Sequence, residues 1–248
     1  MRKINDFAVT ATLQLASRVH ARKGTYLRAR EPVTRSKGRV VGYYASWKNK
    51  KPIAWESQLE RDACALFEFS KGIVAYFEQP EEFEIQDEGN SFRYTPDFKL
   101  SFRCGGEAYV EIKPEEKLND TGLKSKLAKC SVFFRDEKKA DFFILTEKEI
   151  RVSNFQTNLT ILKHYSKLTL SNVEINGMKE WLKEKRKAPI FALSKMLGSS
   201  LKAFAFIAHG HAQVDLTQPL SETSITFTNE ENSDESIIFS CRYAPDFK

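Results

Sequence analysis

The chain has 248 residues, 41% hydrophobic and 12% aromatic, enough to bury a substantial core and suited to two domains. Its formal charge of +6 is uneven: residues 1–55 hold thirteen Lys and Arg against Asp6 and Glu31, while the rest hold 26 against 31. No apolar run approaches the roughly eighteen residues of a membrane span, and the first residues lack a signal-type apolar stretch, so a cytoplasmic protein away from membranes is expected.

The N-terminal excess of charge is concentrated in Arg18, Arg22, Lys23, Arg28, Arg30, Arg35, Lys37 and Arg39. Residues 1–50 therefore read as a basic arm or subdomain suited to a phosphate backbone, with a merely solubilising arm as the alternative. Tyr43, Tyr44 and Trp47 are expected to pack on a core rather than stack on bases. Cys64, Cys104, Cys130 and Cys241 lie far apart without metal-ligand spacing and read as reduced thiols.

From Trp55 to Phe67, apolar residues at 55, 59, 63, 66 and 67 follow the one-face spacing of a helix. Glu56 and Glu60 border that stripe, as inward-reaching acids or as solvated charges. Ile73–Gln79 then reads as a strand stopped by Pro80. The β-branched and aromatic stretch from Phe92 to Leu100 reads as a strand carrying Asp97, and Gly105-Gly106 supplies a turn into a second strand ending Tyr109-Val110-Glu111-Ile112-Lys113. Alternation puts Glu111 and Lys113 on one face, about 7 Å apart, and Val110 and Ile112 on the other.

Asp97 followed by Glu111-x-Lys113 is a pattern with a chemical reading. Two carboxylates can hold Mg²⁺ while leaving room for water and phosphate, and the lysine can orient the water and offset developing charge. The bland reading is a turn aspartate beside an ordinary solvated strand edge. A helix over 122–134 and a buried strand over 141–146 complete a mixed sheet flanked by helices. Lys113, Lys117, Lys124, Lys126 and Lys129 would line one wall of the cleft or form a wet helix face.

Near residue 170 a second module begins. Helices are expected over 173–187, 190–197 and 201–208, the second opened by Pro189 and closed by Gly198, followed by strands at 212–216 and 224–228. Three helices and a hairpin suggest a winged helix. Its third helix offers only Lys202 beside apolar residues, a poor set for reading bases, so docking to protein or weak contact with DNA is favoured. His209-Gly210-His211 lacks the other ligands a metal site needs. Residues 230–235 form an acidic linker, and Arg242-Tyr243-Ala244-Pro245-Asp246-Phe247-Lys248 echoes Arg93 to Lys99 with no Glu-x-Lys after it.

Four ordered blocks carry a resemblance: Glu56-Ser57-Gln58-Leu59-Glu60-Arg61-Asp62, Glu78-Gln79-Pro80, Arg93-Tyr94-Thr95-Pro96-Asp97-Phe98 and Val110-Glu111-Ile112-Lys113-Pro114. Over about residues 50–165 the chain resembles the TnsA-type endonucleases of heteromeric bacterial transposons. The resemblance implies a restriction-endonuclease-like α/β core over 51–168; the helix and strand patterns after it give the winged-helix-like α+β domain over 169–229, followed by a C-terminal extension over 230–248. It places the helix acid on Glu60 (Glu56 competing), the metal-binding aspartate on Asp97, and the Glu-x-Lys pair on Glu111 and Lys113. Gln79 takes an accessory position. Some members carry Gln at the position of Glu111, which marks that side chain as the weaker ligand.

The resemblance also implies hydrolysis of the 5′ ends of the element in double-stranded DNA. A separate transposase subunit would cut the 3′ ends, and an ATPase would regulate both. Asp97, Glu111 and the Ile112 carbonyl would hold Mg²⁺ (Mn²⁺ substituting), Glu60 a second or water-bridged site, and Lys113 the nucleophilic water. Two other readings stay open: a restriction or junction-resolving nuclease of the same fold, and a non-catalytic DNA-binding adaptor.

Overall fold

In the computed structural model, residues 40–87, 89–228 and 242–243 are described. Two short strands open this part of the chain, β1 (Gly42–Ser46) and β2 (Lys51–Trp55), an antiparallel hairpin that straddles residue 50. Tyr44, Ile53 and Trp55 bury their side chains in the same core as α1 (Gln58–Phe69). Trp55 thus belongs to β2 rather than to the helix whose apolar stripe its spacing extends, and Ser57 is the cap that starts the helix. The connection is pinned by buried Glu68, whose Oε1 accepts the backbone N–H groups of Trp47 and Lys48 while its Oε2 accepts the Tyr76 hydroxyl.

After α1 come β3 (Ile73–Glu78), β4 (Phe83–Asp87), β5 (Asn90–Tyr94), β6 (Phe98–Phe102) and β7 (Glu107–Ile112). The expected single strand from Phe92 to Leu100 is two strands in different sheets. Among the described residues β5 pairs only with β4, and β6 pairs with β3 and β7. Pro96 has no N–H to give a ladder, so the chain leaves one sheet at Tyr94 and joins the next at Phe98. Asp97 occupies the crossing.

A 3₁₀ turn (Glu115–Asn119) leads into α2 (Thr121–Phe133), capped by the Asp120 carboxylate on Leu123 N–H, and a π-helical turn (Phe134–Lys138) precedes β8 (Asp141–Leu145). β8 lies parallel to β7, with Glu111 opposite Ile144 and Ile112 opposite Leu145. Next come α3 (Glu147–Ile150) and α4 (Phe155–Tyr165), neither of them expected from the sequence.

The resulting five-stranded sheet has the order β12-β8-β7-β6-β3, where β12 is Arg242–Tyr243 running antiparallel to β8. One face packs Tyr76, Phe98, Leu100, Val110, Ile112 and Leu145 against Ala63 and Phe67 of α1. The other packs Tyr109, Phe142 and Ile144 against Leu127 and Cys130 of α2, Phe134, and Phe83 and Ile85 of β4. This mixed sheet with helices on both faces is consistent with a restriction-endonuclease-like core.

The C-terminal portion runs α5 (Asn172–Lys185), β9 (Lys187–Pro189), α6 (Ile190–Leu197), α7 (Ser200–Ala208), β10 (Ala212–Val214) and β11 (Ile225–Thr228). Its three strands form an antiparallel sheet of order β10-β11-β9. Strand β9 was not expected, being three residues ending in proline. Gly198 at φ +66° closes α6 in the left-handed region glycine favours. Ala203 to Ala208 of α7 are all buried, and Lys202 is paired to Glu174 at 2.5 Å. Among the described residues no single helix is long and apolar enough to cross a membrane.

Candidate active site

The end of β7, the start of β6 and the loop after β3 converge on Asp97. Its backbone carbonyl accepts Gln79 N–H at 2.9 Å, and its Oδ2 accepts Ile112 N–H at 2.7 Å. Asp97 therefore continues the β6–β7 pairing with its side chain, which fixes where the carboxylate stands.

Glu111 is buried on the α2 side of β7. Its Oε2 accepts the Tyr94 hydroxyl at 2.6 Å, and its Oε1 lies 2.5 Å from Lys113 Nζ. The same ammonium lies 3.4 Å from Asp97 Oδ2 and 3.3 Å from the Ile112 carbonyl. Three oxygens thus face one positive charge. Burial, then the neighbouring Asp97 charge, raises Glu111 to about 7 against the pull of Lys113 and Tyr94. Burial works against the Lys113 charge, but Asp97 and Glu111 outweigh it and hold that ammonium well above the ordinary lysine range.

Glu60 approaches from the first turn of α1. Its Oε1 accepts the Ser57 hydroxyl at 2.9 Å and its Oε2 accepts Glu56 N–H at 2.8 Å, while Ser57 Oγ accepts Glu60 N–H. Its carboxylate thus caps the start of the helix. Burial and then the Asp97 charge raise it to about 7. Asp97 is accordingly the shared neighbour of Glu60 and Glu111. Glu56, the competing helix acid, accepts Gln79 Nε2 at 2.8 Å. Gln79 sits at φ +41°, a left-handed conformation that costs energy for a residue with a Cβ and commonly marks functional sites.

The donor set suits a hard divalent cation: two carboxylates and a backbone carbonyl already converge on a positive charge, that of Lys113. Among the described residues no three His, Cys, Asp or Glu side chains are grouped as a metal site. Glu60, Gln79, Asp97, Glu111, Ile112 and Lys113 are all placed at this locus. Of the other lysines of the expected wall, Lys129 pairs with Asp87, and Lys126 lies over the Phe92 and Tyr94 rings. Arg18, Arg22, Lys23, Arg28, Arg30, Arg35, Lys37 and Arg39 lie outside the described residues, as do residues 230–235 and 244–248.

Two participants were missed. Tyr94 gave no signal, since a strand tyrosine ordinarily reads as core. Ser57 did give one: Ser57-Gln58-Leu59-Glu60 is the Ser-x-x-Glu pattern of a capping box.

No curated protein matches the chain. Residues 70–147, from just before β3 to the start of α3, match the family model described as TnsA-like endonuclease N terminal. That span holds Gln79, Tyr94, Asp97, Glu111 and Lys113, whereas Glu56, Ser57 and Glu60 precede it. Over that span the sheet that gathers this cluster is similar to the N-terminal domain of TnsA-like endonucleases, which supports the resemblance its motif blocks carry.

Proposed function

We propose that the protein is a metal-dependent DNA endonuclease that hydrolyses the 5′ ends of a transposable element. Its partners in this reading are a transposase subunit that cuts the 3′ ends and an ATPase regulator. The convergence of Glu111 Oε1, Asp97 Oδ2 and the Ile112 carbonyl on the Lys113 ammonium carries the proposal. It combines a cation-binding set with a mobile positive charge beside it, at the place where the family model matches.

When bound, Mg²⁺ or Mn²⁺ would polarise the phosphate and lower the pKa of its water. Asp97, Glu111 and the Ile112 carbonyl are the groups that would hold it. Lys113 would then swing from the carboxylates toward the attacking water or the phosphoryl oxygens, where its ammonium stabilises added negative charge. Tyr94 keeps one oxygen of Glu111 occupied, so that the other is presented to the cation. Glu60, raised toward 7, would complete a water-bridged second site. The products expected are 5′-phosphate and 3′-hydroxyl ends.

We assign residues 51–168, together with the β1 strand that pairs with β2, to the nuclease core, the basic residues before β1 to a DNA-contacting arm and residues 230–248 to an extension. The order α5-β9-α6-α7-β10-β11 supports a winged-helix-like module over 169–229. Because α7 is buried and Lys202 is engaged by Glu174, this module suits protein docking better than base reading.

The test is Asp97→Ala. Mg²⁺-dependent nicking of duplex DNA should disappear while duplex binding persists. Cleavage near that of the parent would overturn the site assignment, and a parent protein that binds duplex but never cleaves it, alone or with its neighbouring gene products, would favour the adaptor reading.

A further inference from the structure

Asp62 follows the Glu60 helix acid by two residues and takes no part in the Asp97 cluster. Its side chain is only 10% exposed, yet it binds two arginines. Oδ1 accepts Arg61 Nε at 3.0 Å and Arg61 Nη2 at 2.8 Å, and Oδ2 accepts Arg151 Nε at 2.8 Å and lies 2.8 Å from Arg151 Nη2. Each guanidinium thus spends one edge on the shared carboxylate. The side chains of Arg61 and Arg151 remain 46% and 44% exposed, and their Nη1 groups meet no acceptor among the described residues.

One arginine would suffice to neutralise Asp62. Two leave a fixed surplus of positive charge, held by a buried carboxylate at the surface. Gln156 adds to the fixation: its Nε2 donates to the backbone carbonyls of Asp62 and Ile150, joining the two segments that bear the arginines. The location also matters. Arg61 is adjacent to Glu60 on α1. Arg151 ends α3, which starts just after β8, and Leu145 of β8 accepts Lys113 N–H at 3.1 Å. The pair stands at the same end of the sheet as the cleavage cluster.

We propose that Arg61 and Arg151 form a clamp for the phosphate backbone of duplex DNA, with Asp62 as the positioning residue that orients both guanidiniums. This rests on the nuclease reading and extends it to the substrate contact beside the scissile position. Planar guanidinium donors match phosphate oxygens, and fixing their rotamers in advance removes part of the entropy lost on binding.

The experiment measures binding of a labelled mixed-sequence duplex, without divalent cation, over a range of salt. Arg61→Gln and Arg151→Gln should each weaken binding about 3–10-fold and flatten the slope of log Kd on log salt by about one, with thermal midpoints near that of the parent. Asp62→Asn provides the sharper readout. It removes a negative charge facing DNA, so simple electrostatics predicts tighter binding, whereas the clamp predicts weaker binding. Tighter binding by Asp62→Asn would overturn the proposal. So would unchanged affinity and slope in both arginine variants while the parent binds duplex, and these variants decide the matter if Asp62→Asn fails to fold. A parent protein unable to bind duplex at all would instead remove the nuclease reading beneath it.

Discussion

Lys113 sets its ammonium 2.5 Å from Glu111 Oε1, so the cluster carries its own cation. A divalent ion using the same oxygens has to displace it. Lysine is suited to this exchange, because its charge sits at the end of a flexible stem.

Lys113→Met separates the two roles of that side chain. Without the ammonium, Glu111 and Asp97 face each other uncompensated, and metal-free stability should fall by about 2 kcal/mol, below the range for fully buried pairs because this one is partly exposed. Mn²⁺ should bind at least as tightly as to the parent, since no internal cation competes, while cleavage falls about 100-fold or more. Calorimetric titration of Mn²⁺ decides the first point. Markedly weaker binding would mean that these oxygens do not form the cation site.

The raised acids set a pH dependence of stability. Glu60 and Glu111 hold their protons to about 7 when folded, against an ordinary 4.5. Protonation therefore favours the native state: this contribution is complete below about pH 4.5 and is lost as the pH rises to about 7. Without divalent cations, the thermal midpoint of the parent should fall by several degrees between pH 5 and pH 7 relative to a Glu60→Gln/Glu111→Gln variant. A difference that stays flat or grows with pH would show that neither acid is desolvated. Mn²⁺ added at pH 7.5 should raise the parent's midpoint and leave that of the double variant nearly unchanged.

Much of this site could be read from the chain because its chemistry lies in short local patterns. Strand alternation put Val110 and Ile112 into the core, and Gly105-Gly106 marked the turn between β6 and β7. What stayed hidden depends on contacts between distant segments. Strand β4, with Phe83 and Ile85 inward and Glu84 and Gln86 outward, alternates as a strand should, but its position beside α2 follows from packing on Phe134 and Tyr109 rather than from its own residues. The break at Pro96 had a local cause, yet nothing local says that β5 and β6 belong to different sheets. Tyr94 was hidden for the same reason: its hydroxyl finds Glu111 seventeen residues away, across that break.

Tyr94→Phe tests that contact with the smallest possible change. The ring still fills its place among Phe134 and Phe142, but Glu111 Oε2 loses its donor inside the core. Leaving a buried acceptor unpaired costs about 1–3 kcal/mol. The carboxyl group should rise further in pKa, because the hydroxyl had favoured its charged form. Mn²⁺ affinity at pH 7 should consequently drop several-fold, and much of that loss should be recovered at pH 8.5, where Glu111 is ionised regardless. A loss that persists equally at both pH values would assign Tyr94 to packing alone.

Gln79 joins backbone and side-chain effects that substitution can separate. Its φ of +41° is strained for any residue with a Cβ, its N–H holds the Asp97 carbonyl, and its amide holds Glu56. Gln79→Gly relieves the strain and keeps the N–H, so stability should stay within about 1 kcal/mol of the parent, with the gain from relief offset by a more flexible unfolded chain. Gln79→Ala keeps both the strain and the N–H. Gln79→Val adds a β-branched side chain at a left-handed position and should be the least stable of the three, by about 2 kcal/mol or more relative to Gly. Activity should follow a different order. Gly and Ala both lose the amide that steadies Glu56, and both should cleave more slowly by a similar factor despite their unequal stabilities. If instead cleavage tracked stability across Gly, Ala and Val, the amide would have no part in the site and the left-handed turn alone would explain the position of Asp97.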